Sequence, residues 1–340
     1  MTMKIAVHHR KGSFSQHWID YMIRERIEYK IVSCFDNDII AQLEDCDALM
    51  WHHYHIDAKD MQFAKQLLFS LESAGKVVFP DFNTNWHFDD KLGQKYLLEA
   101  IHAPLVPSYA FYSKKEALDW ARGATFPKVF KLRGGSSSSN VRLARNERQA
   151  RGLIRRAFGK GFPAFNAWGG LRDRWKKYRK GMVAFSEVLH GVARLVKRPD
   201  YARNAGRERG YIYFQDFIPD NTHDIRVTYA YNRCFASRRA VRPGDFRASG
   251  SNIADYDLSQ VPKKAVKIAF EVSNRLKMQS VAFDFILDQG EPVIVEISYA
   301  SGEPTFDHGY FDEDLNYYPG TFEPFAWMVE GVREEIRRKN

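Results

Sequence analysis

Residues 281–298, VAFDFILDQGEPVIVEIS, constrain the fold more than any other part of the chain. Apolar and polar residues alternate on either side of a turn at Gly290, the pattern of an antiparallel hairpin with one buried face. With Gly290 midway, Asp284 sits opposite Glu296 and Ala282 opposite Ser298, all on one face. Directly opposed Cβ atoms in such a ladder lie roughly 5 Å apart. Two carboxylates at that distance, flanked by Phe283, Phe285, Val295 and Ile297, repel each other in poorly solvated surroundings and call for a cation. Mg2+ takes two carboxylates, keeps several waters and shares its remaining positions with phosphates, so the hairpin points to a nucleotide. The plain alternative is a pair of solvated acids on the polar side of a half-buried hairpin.

The segments preceding the hairpin predict an α/β architecture. KIAVHH, YKIVSCF, CDALMWHH and KVVFP read as strands, with helices at about Gln16 to Arg26 and Ala58 to Ala74 between them, which implies a small parallel sheet. Ligands on such sheets bind beyond the carboxyl ends of the strands, near His8, His9, Arg10, His52, His53 and His55. The HHYH run lacks zinc spacing and acidic partners, so a substrate contact or a simple strand-end loop fits it better than a metal. From Asp89 the pattern turns helical, then gives two short strands around KLRGGSSSSN, three β segments from Tyr211 to Val241, and a helix from Lys263 to Lys277.

A chain of 340 residues, 44% of them hydrophobic, has enough apolar surface for two or three folded domains, which excludes a disordered protein. No run of eighteen apolar residues occurs and the N-terminal apolar run is too short for a signal peptide, so a cytoplasmic protein is expected. Cys34, Cys46 and Cys234 are odd in number and widely spaced, as expected of buried, reduced thiols. The net charge of +9 is concentrated in residues 142–209, where 19 Lys and Arg face 5 Asp and Glu, a local net of +14. A segment of this kind meets nucleic acid, an anionic membrane surface or a polyanionic substrate, or forms a solvated face. Its interleaved aromatics predict that it folds onto the domain.

In KLRGGSSSSN, Lys131 precedes two glycines and four serines, so backbone N–H groups can close on a phosphate. The lysine stands before the glycines, which excludes a Walker loop, and a flexible linker is the plain alternative. Lys91, Lys131 with its glycine loop, FQDFIPD, DIRV, SRRAVRPGDFRASG, Asp284 and Glu296 follow one another in an order that resembles the ATP-grasp superfamily. The likeness covers residues 89 to about 300 and is strongest to ribosomal-protein glutamate ligases. It implies an α/β chain in three parts: an N-terminal parallel domain over residues 1–88, a small lobe over 89–214 carrying the basic insertion at about 142–209, and a large lobe over 215–340 with the metal site and a C-terminal helix.

The resemblance further implies that Lys91 and Lys131 grip ATP phosphates beneath a loop containing Gly134, Gly135, Ser136 and Ser137. Gln215, Asp216, Phe217 and Ile218 then hold the adenine, and Asp284, Glu296 and Ser298 hold Mg2+. Ser298 stands where the family commonly has Asn, so a water or Glu303 would complete the shell. Arg226, Arg239 and Arg247 fall near the reacting centre, where planar bidentate donors suit a carboxylate and a transferring phosphoryl group. The implied activity is ATP-dependent ligation of a carboxylate to an amine through an acyl phosphate. The tail after Glu296 is similar to that of ATP-grasp proteins of surface-polysaccharide biosynthesis. That likeness implies an amino acid joined to a uronic acid or related anionic glycan, with a nucleotide sugar or pyrophosphate-linked lipid meeting the basic segment and peripheral membrane contact allowed. The other readings are a protein or peptide amino-acid ligase, a non-catalytic ATP-binding regulator, and, ranked last, a nucleic-acid binder.

Overall fold

A computed structural model describes residues 3–55, 57–135, 140–163, 167–179, 184–196, 206–241, 254–299 and 305–339. The N-terminal part alternates β1 (Lys4–His8), α1 (Phe14–Arg24), β2 (Glu28–Val32), α2 (Ile39–Gln42), β3 (Ala48–Met50), α3 (Ala58–Ser73) and β4 (Val77–Phe79). The four strands form a parallel sheet in the order β2-β1-β3-β4, as the alternation predicts. The apolar runs of β1, β3 and β4 are buried on both faces, which suits a sheet sandwiched by crossover helices, while the edge strand β2 leaves Ile31 exposed. Cys34, Cys46 and Cys234 are free and buried.

After α4 (Phe82–Asn85), α5 (Lys91–Ala100) begins on Asp90, whose carboxylate caps it by accepting from the Leu92 and Gly93 N–H groups. Next come β5 (Ser108–Phe111), α6 (Lys114–Gly123), β6 (Lys128–Lys131), β7 (Arg142–Ala144) and α7 (Glu147–Ala157). With β10 (Ile212–Asp216) they build an antiparallel sheet in the order β5-β10-β6-β7. Strand alternation splits its faces. Phe130 and Phe214 pack under α6 and α7 with Ala117, Ala121, Ala150 and Ile154, whereas Lys131, Tyr213 and Gln215 take the other face. The basic insertion leaves this lobe on a two-stranded stalk of β8 (Phe162–Pro163) and β9 (Arg207–Glu208), beyond which α8 (Ala167–Arg179) and α9 (Phe185–Val196) form a helical hairpin.

The second lobe is a sheet in which β11 (His223–Ala230), β12 (Arg233–Ala240), β14 (Ser280–Asp288) and β15 (Glu291–Ser298) run in the order β15-β14-β11-β12. The small strands β13 (Ala254–Asp255), β16 (Tyr310–Phe311) and β17 (Tyr317–Tyr318) extend it. Helix α10 (Lys263–Leu276) covers one face through Ala265, Val266, Ala269 and Val272, which meet Val227, Ala236, Phe283 and Phe285. The last helix, α11 (Pro324–Lys339), crosses back to the first sheet. Its Met328, Val329, Val332 and Ile336 share a core with Ile5, Val7, Trp18 and Phe79. The end of the chain thus completes the core of its beginning, a long-range closure that local periodicity does not reveal.

Candidate active site

The hairpin forms as its alternation predicts, and Asp284 pairs directly with Glu296, Ala282 with Ser298. The route to that register differs from a simple fold about Gly290. The turn is Gln289-Gly290, both in the left-handed region at φ 50° and 88°, and it pairs Asp288 with Glu291 and Phe285 with Ile294. Continued unbroken, that ladder would set Asp284 against Val295 and turn Glu296 to the opposite face. The register instead shifts by one residue between Asp284 and Phe285, leaving Val295 as a bulge that brings Glu296 and Ser298 to the face of Asp284. The bulged Val295 carbonyl accepts a hydrogen bond from Gln215 Nε2 at 3.3 Å, and the same Nε2 donates to Ser108 Oγ at 3.1 Å. Buried Gln215 therefore ties the small-lobe sheet to the acid-bearing hairpin.

The strand registers align four side chains across the uncovered face of the large sheet: Glu296, Asp284, Arg226 and Ser237, with Arg239 opposite Asp224 alongside. Arg226 grips Asp284 in two bonds, Nε to Oδ1 at 2.9 Å and Nη2 to Oδ2 at 3.1 Å. Arg239 bridges Asp224 and, at 2.9 Å, Asp284 Oδ2. Burial opposes ionisation of Asp284, but the two guanidiniums outweigh it and hold its carboxyl well below the usual carboxylate range. Asp224 is pushed up to about 6, first by burial and then by repulsion from Asp284, against the pull of Arg239.

The opposite wall is cationic. Lys91 lies in the first turn of α5 with its side chain buried, 3.1 Å from Glu296 Oε1 and donating to the Gly135 carbonyl at 2.8 Å. Burial works against its ammonium, yet Glu296 and Asp89 prevail and raise its pKa. Lys131 is equally buried, and among the described residues it has no ion-pair partner within 4 Å. Burial pushes it down to about 8, opposed by Glu296 and Asp284 and assisted by Lys91. Lys131 thus shares a field with both lysine and carboxylate partners while remaining poised to take an anion.

The entrance to the glycine loop is rigidly held. Gly135, at φ 105°, donates its N–H to Asp89 Oδ1 at 2.7 Å, and a Cβ on Gly134 would come within 3.0 Å of Asp89 Oδ2. Arg133 N–H donates to Tyr211 Oη at 2.7 Å, and that hydroxyl donates to Glu208 on β9 at 2.8 Å. Beyond the loop, Asn140 Nδ2 donates to the Pro163 carbonyl on β8 at 3.2 Å. Both ends of the loop are therefore tied to the stalk of the basic insertion. Ser136, Ser137, Arg247 and Glu303 lie outside the described residues.

Of the remaining expected adenine contacts, Asp216 turns its carboxylate away from this face to pair with Lys128, while Phe217 and Ile218 follow β10 half-buried. The histidines of the first sheet do not gather into a ligand set. His8 Nδ1 accepts from Cys34 N–H, His52 Nδ1 from Phe14 N–H, and His53 pairs with Asn85, each held neutral by burial with pKa values of about 4, 3 and 3. His55 alone touches the site's field: burial and then Lys91 lower it to about 4 against Glu296. Among the described residues no group of three or more His, Cys, Asp or Glu side chains could hold a metal. Asp89 and Tyr211 join the site without a motif that marks them, and Asp224 joins it as the opening residue of DIRV, the signal that could have found it, whereas His55 belongs to the strand-end histidines expected near a ligand.

Charge bears on whether this donor set suits a divalent cation. Among the described residues, Lys91, Lys131, Arg226 and Arg239 face Asp89, Asp224, Asp284 and Glu296, four formal positive charges against four negative. A polyphosphate brings several negative charges, which such a site accommodates when a hard cation on the two facing carboxylates arrives with it. Asp284 and Glu296 present the oxygen donors such a cation takes, Asp284 being held as well by Arg226 and Arg239 and Glu296 by Lys91.

No family model matches the chain, and no curated protein does. Solved structures do. D-cycloserine synthetase DcsG superposes with a TM-score of 0.59 at 12% identity, over 98% of this chain and 99% of that one. D-alanine–D-alanine ligase from Bacillus anthracis gives 0.55 at 14%, over 99% and 98%. The ATP-grasp ligase PsnB, solved with minimal precursor, Mg and ADP, gives 0.54 at 11%, over 99% of each. These likenesses show the fold: the chain has the ATP-grasp fold, as the motif order implied. At these identities the likeness extends to the fold across the whole chain.

Proposed function

We propose that the protein is an ATP-dependent ligase that joins a carboxylate to an amine. The observation that carries the reading is the convergence of Lys91 and Lys131 on the facing carboxylates Asp284 and Glu296, with Arg226 and Arg239 on the same face. ATP and Mg2+ are the proposed co-substrate and metal. Lys91 and Lys131 hold the phosphates, the loop after Arg133 closes on them, the face carrying Gln215 receives the base with Phe217 and Ile218 beside it, and Asp284, Glu296 and Ser298 hold the cation. When bound, the cation neutralises charge on the phosphates.

The substrate carboxylate oxygen attacks the γ-phosphorus as the bond to ADP breaks, giving an acyl phosphate. The amine nitrogen then attacks the acyl carbon, phosphate leaves, and the nitrogen loses a proton. Arg226 and Arg239 orient the carboxylate and spread charge at the transferring group, work that rests on placement and electrostatics instead of a protein nucleophile. Arg247 as a third arginine at the reacting centre is part of this proposal. For the acid, an amino-acid acceptor of uronic-acid type is favoured by the resemblance of the tail and by the +14 segment beside the loop. The three-part division at residues 88 and 214 belongs to the same reading.

The test is phosphate release from Mg-ATP against amino acids crossed with uronic acids, nucleotide sugars and peptides, with product mass measured and Glu296→Gln as control. Release that needs one acid and one amine, yields a condensed product and vanishes in the variant supports the ligase. Tight ATP binding with no turnover across all pools points to a regulator, and failure to bind ATP removes the reading.

A further inference from the structure

The α8–α9 hairpin has surface chemistry that the proposed site does not use. Its two helices pack on each other: Val188 is buried, and a Cβ on Gly191 would press to 3.0 Å against Leu171 Cδ1. The outer side is apolar and exposed. Trp175 and Tyr178 on α8 are 47% and 39% exposed, and Phe185, Leu189 and Val192 on α9 are 48%, 55% and 46% exposed. On α9 the three recur at helical spacing, so they form one stripe, and Tyr178 joins the two helices by ring contacts to Trp175 at 5.9 Å and Phe185 at 5.3 Å. Five large apolar side chains side by side on a monomer surface are not scattered exposure.

Charge identifies the partner. Residues 167–196 contain seven Lys and Arg and two acids. Of those acids, Glu187 is already engaged by Arg174 at 3.6 Å and His190 at 3.4 Å. Arg172, Arg179 and Arg194 are exposed on the same hairpin. A soluble polyanion needs the cations but gains nothing from Leu189 and Val192, and a purely apolar partner leaves the cations unused. A bilayer with anionic headgroups uses both, because it admits aromatic and aliphatic side chains to the acyl boundary while the basic side chains remain among the phosphates. We propose that the α8–α9 hairpin docks on an anionic membrane surface, lying in the interface without spanning it. Among the described residues no helix is long and apolar enough to cross.

The experiment is co-sedimentation of the full-length protein with phosphatidylcholine vesicles, with and without phosphatidylglycerol. The expected result is binding to the anionic vesicles alone. It should weaken at least tenfold in Leu189→Glu/Val192→Glu, whose side chains are exposed, and also in Arg172→Glu/Arg179→Glu, with unchanged melting temperatures. Three results overturn the proposal: no binding to either vesicle, binding indifferent to the Leu189 and Val192 substitutions, or capture by heparin or duplex DNA that equals capture by vesicles and survives those substitutions. The readout does not involve ATP, so it stands or falls apart from the ligase.

Discussion

Replacing Lys131 with Met should stabilise the protein while disabling it. The Lys131 ammonium is buried at 6% exposure without an ion-pair partner among the described residues, and burial lowers its pKa from 10.5 to about 8. At 1.36 kcal/mol for each pKa unit, holding the charged form in the free protein costs about 3 kcal/mol. Below pH 8 the lysine is protonated in both folded and unfolded states, so the cost is borne in full. Between about pH 8 and 10.5 the unfolded chain binds the extra proton, so wild-type stability from this group rises with pH, and above 10.5 the cost is gone. Met fills a similar volume without charge. Urea unfolding at pH 7 should therefore show Lys131→Met more stable by about 3 kcal/mol, with the gap closing as pH rises through that window. Mg-ATP affinity, measured by calorimetry on the same preparations, should fall more than tenfold because the phosphates lose a desolvated donor. A variant no more stable than wild type at pH 7, or a gap that does not change between pH 8 and 10.5, would refute the reasoning.

Asp284→Asn leaves Arg226 and Arg239 without their shared carboxylate in a half-enclosed setting, so stability should drop by about 3 kcal/mol in chemical denaturation even without nucleotide. Glu335 on α11 is pushed up to about 7, chiefly by burial, while Gln279 and Tyr231 donate to it. The folded state therefore binds more protons than the unfolded between about pH 4.5 and 7, and stability should fall with rising pH across that window, a loss that Glu335→Gln abolishes in melts at pH 5 and 8. Tyr211→Phe cuts the link between the glycine-loop entrance and Glu208, so hydrogen exchange at Arg133 and Gly134 should quicken and the KM for ATP rise several-fold, with melting temperature nearly unchanged.

How much of this was legible varied with the range of the interaction. The strands of the first sheet and the hairpin were readable because each rests on alternation, turn chemistry or a local run. The facing of Asp284 and Glu296 was also readable, although its cause was not: a turn at Gln289-Gly290 and a bulge at Val295 together give the register that a single pivot at Gly290 suggested. A bulge depends on what the strand packs against, here Gln215 from another sheet, and no local pattern carries that. Asp89 went unmarked for the same reason, since its role is to accept from Gly135, 46 residues away.

The sequence by itself determined which residue types alternate on which strand, where the turns fall and where the positive charge collects, because these follow from periods of two and 3.6 and from turn residues, whereas the shared face of Asp284 and Glu296 rests on the Val295 bulge. Tertiary structure alone decided that α11 closes the first core, that Arg239 reaches both Asp224 and Asp284, that Lys131 has no ion-pair partner among the described residues yet lies among neighbours that shift it, and that the stalk of the insertion is tied to both ends of the glycine loop. Each of these depends on side chains far apart in the chain meeting where water is excluded, and desolvation and pairing there are properties of the assembled interior.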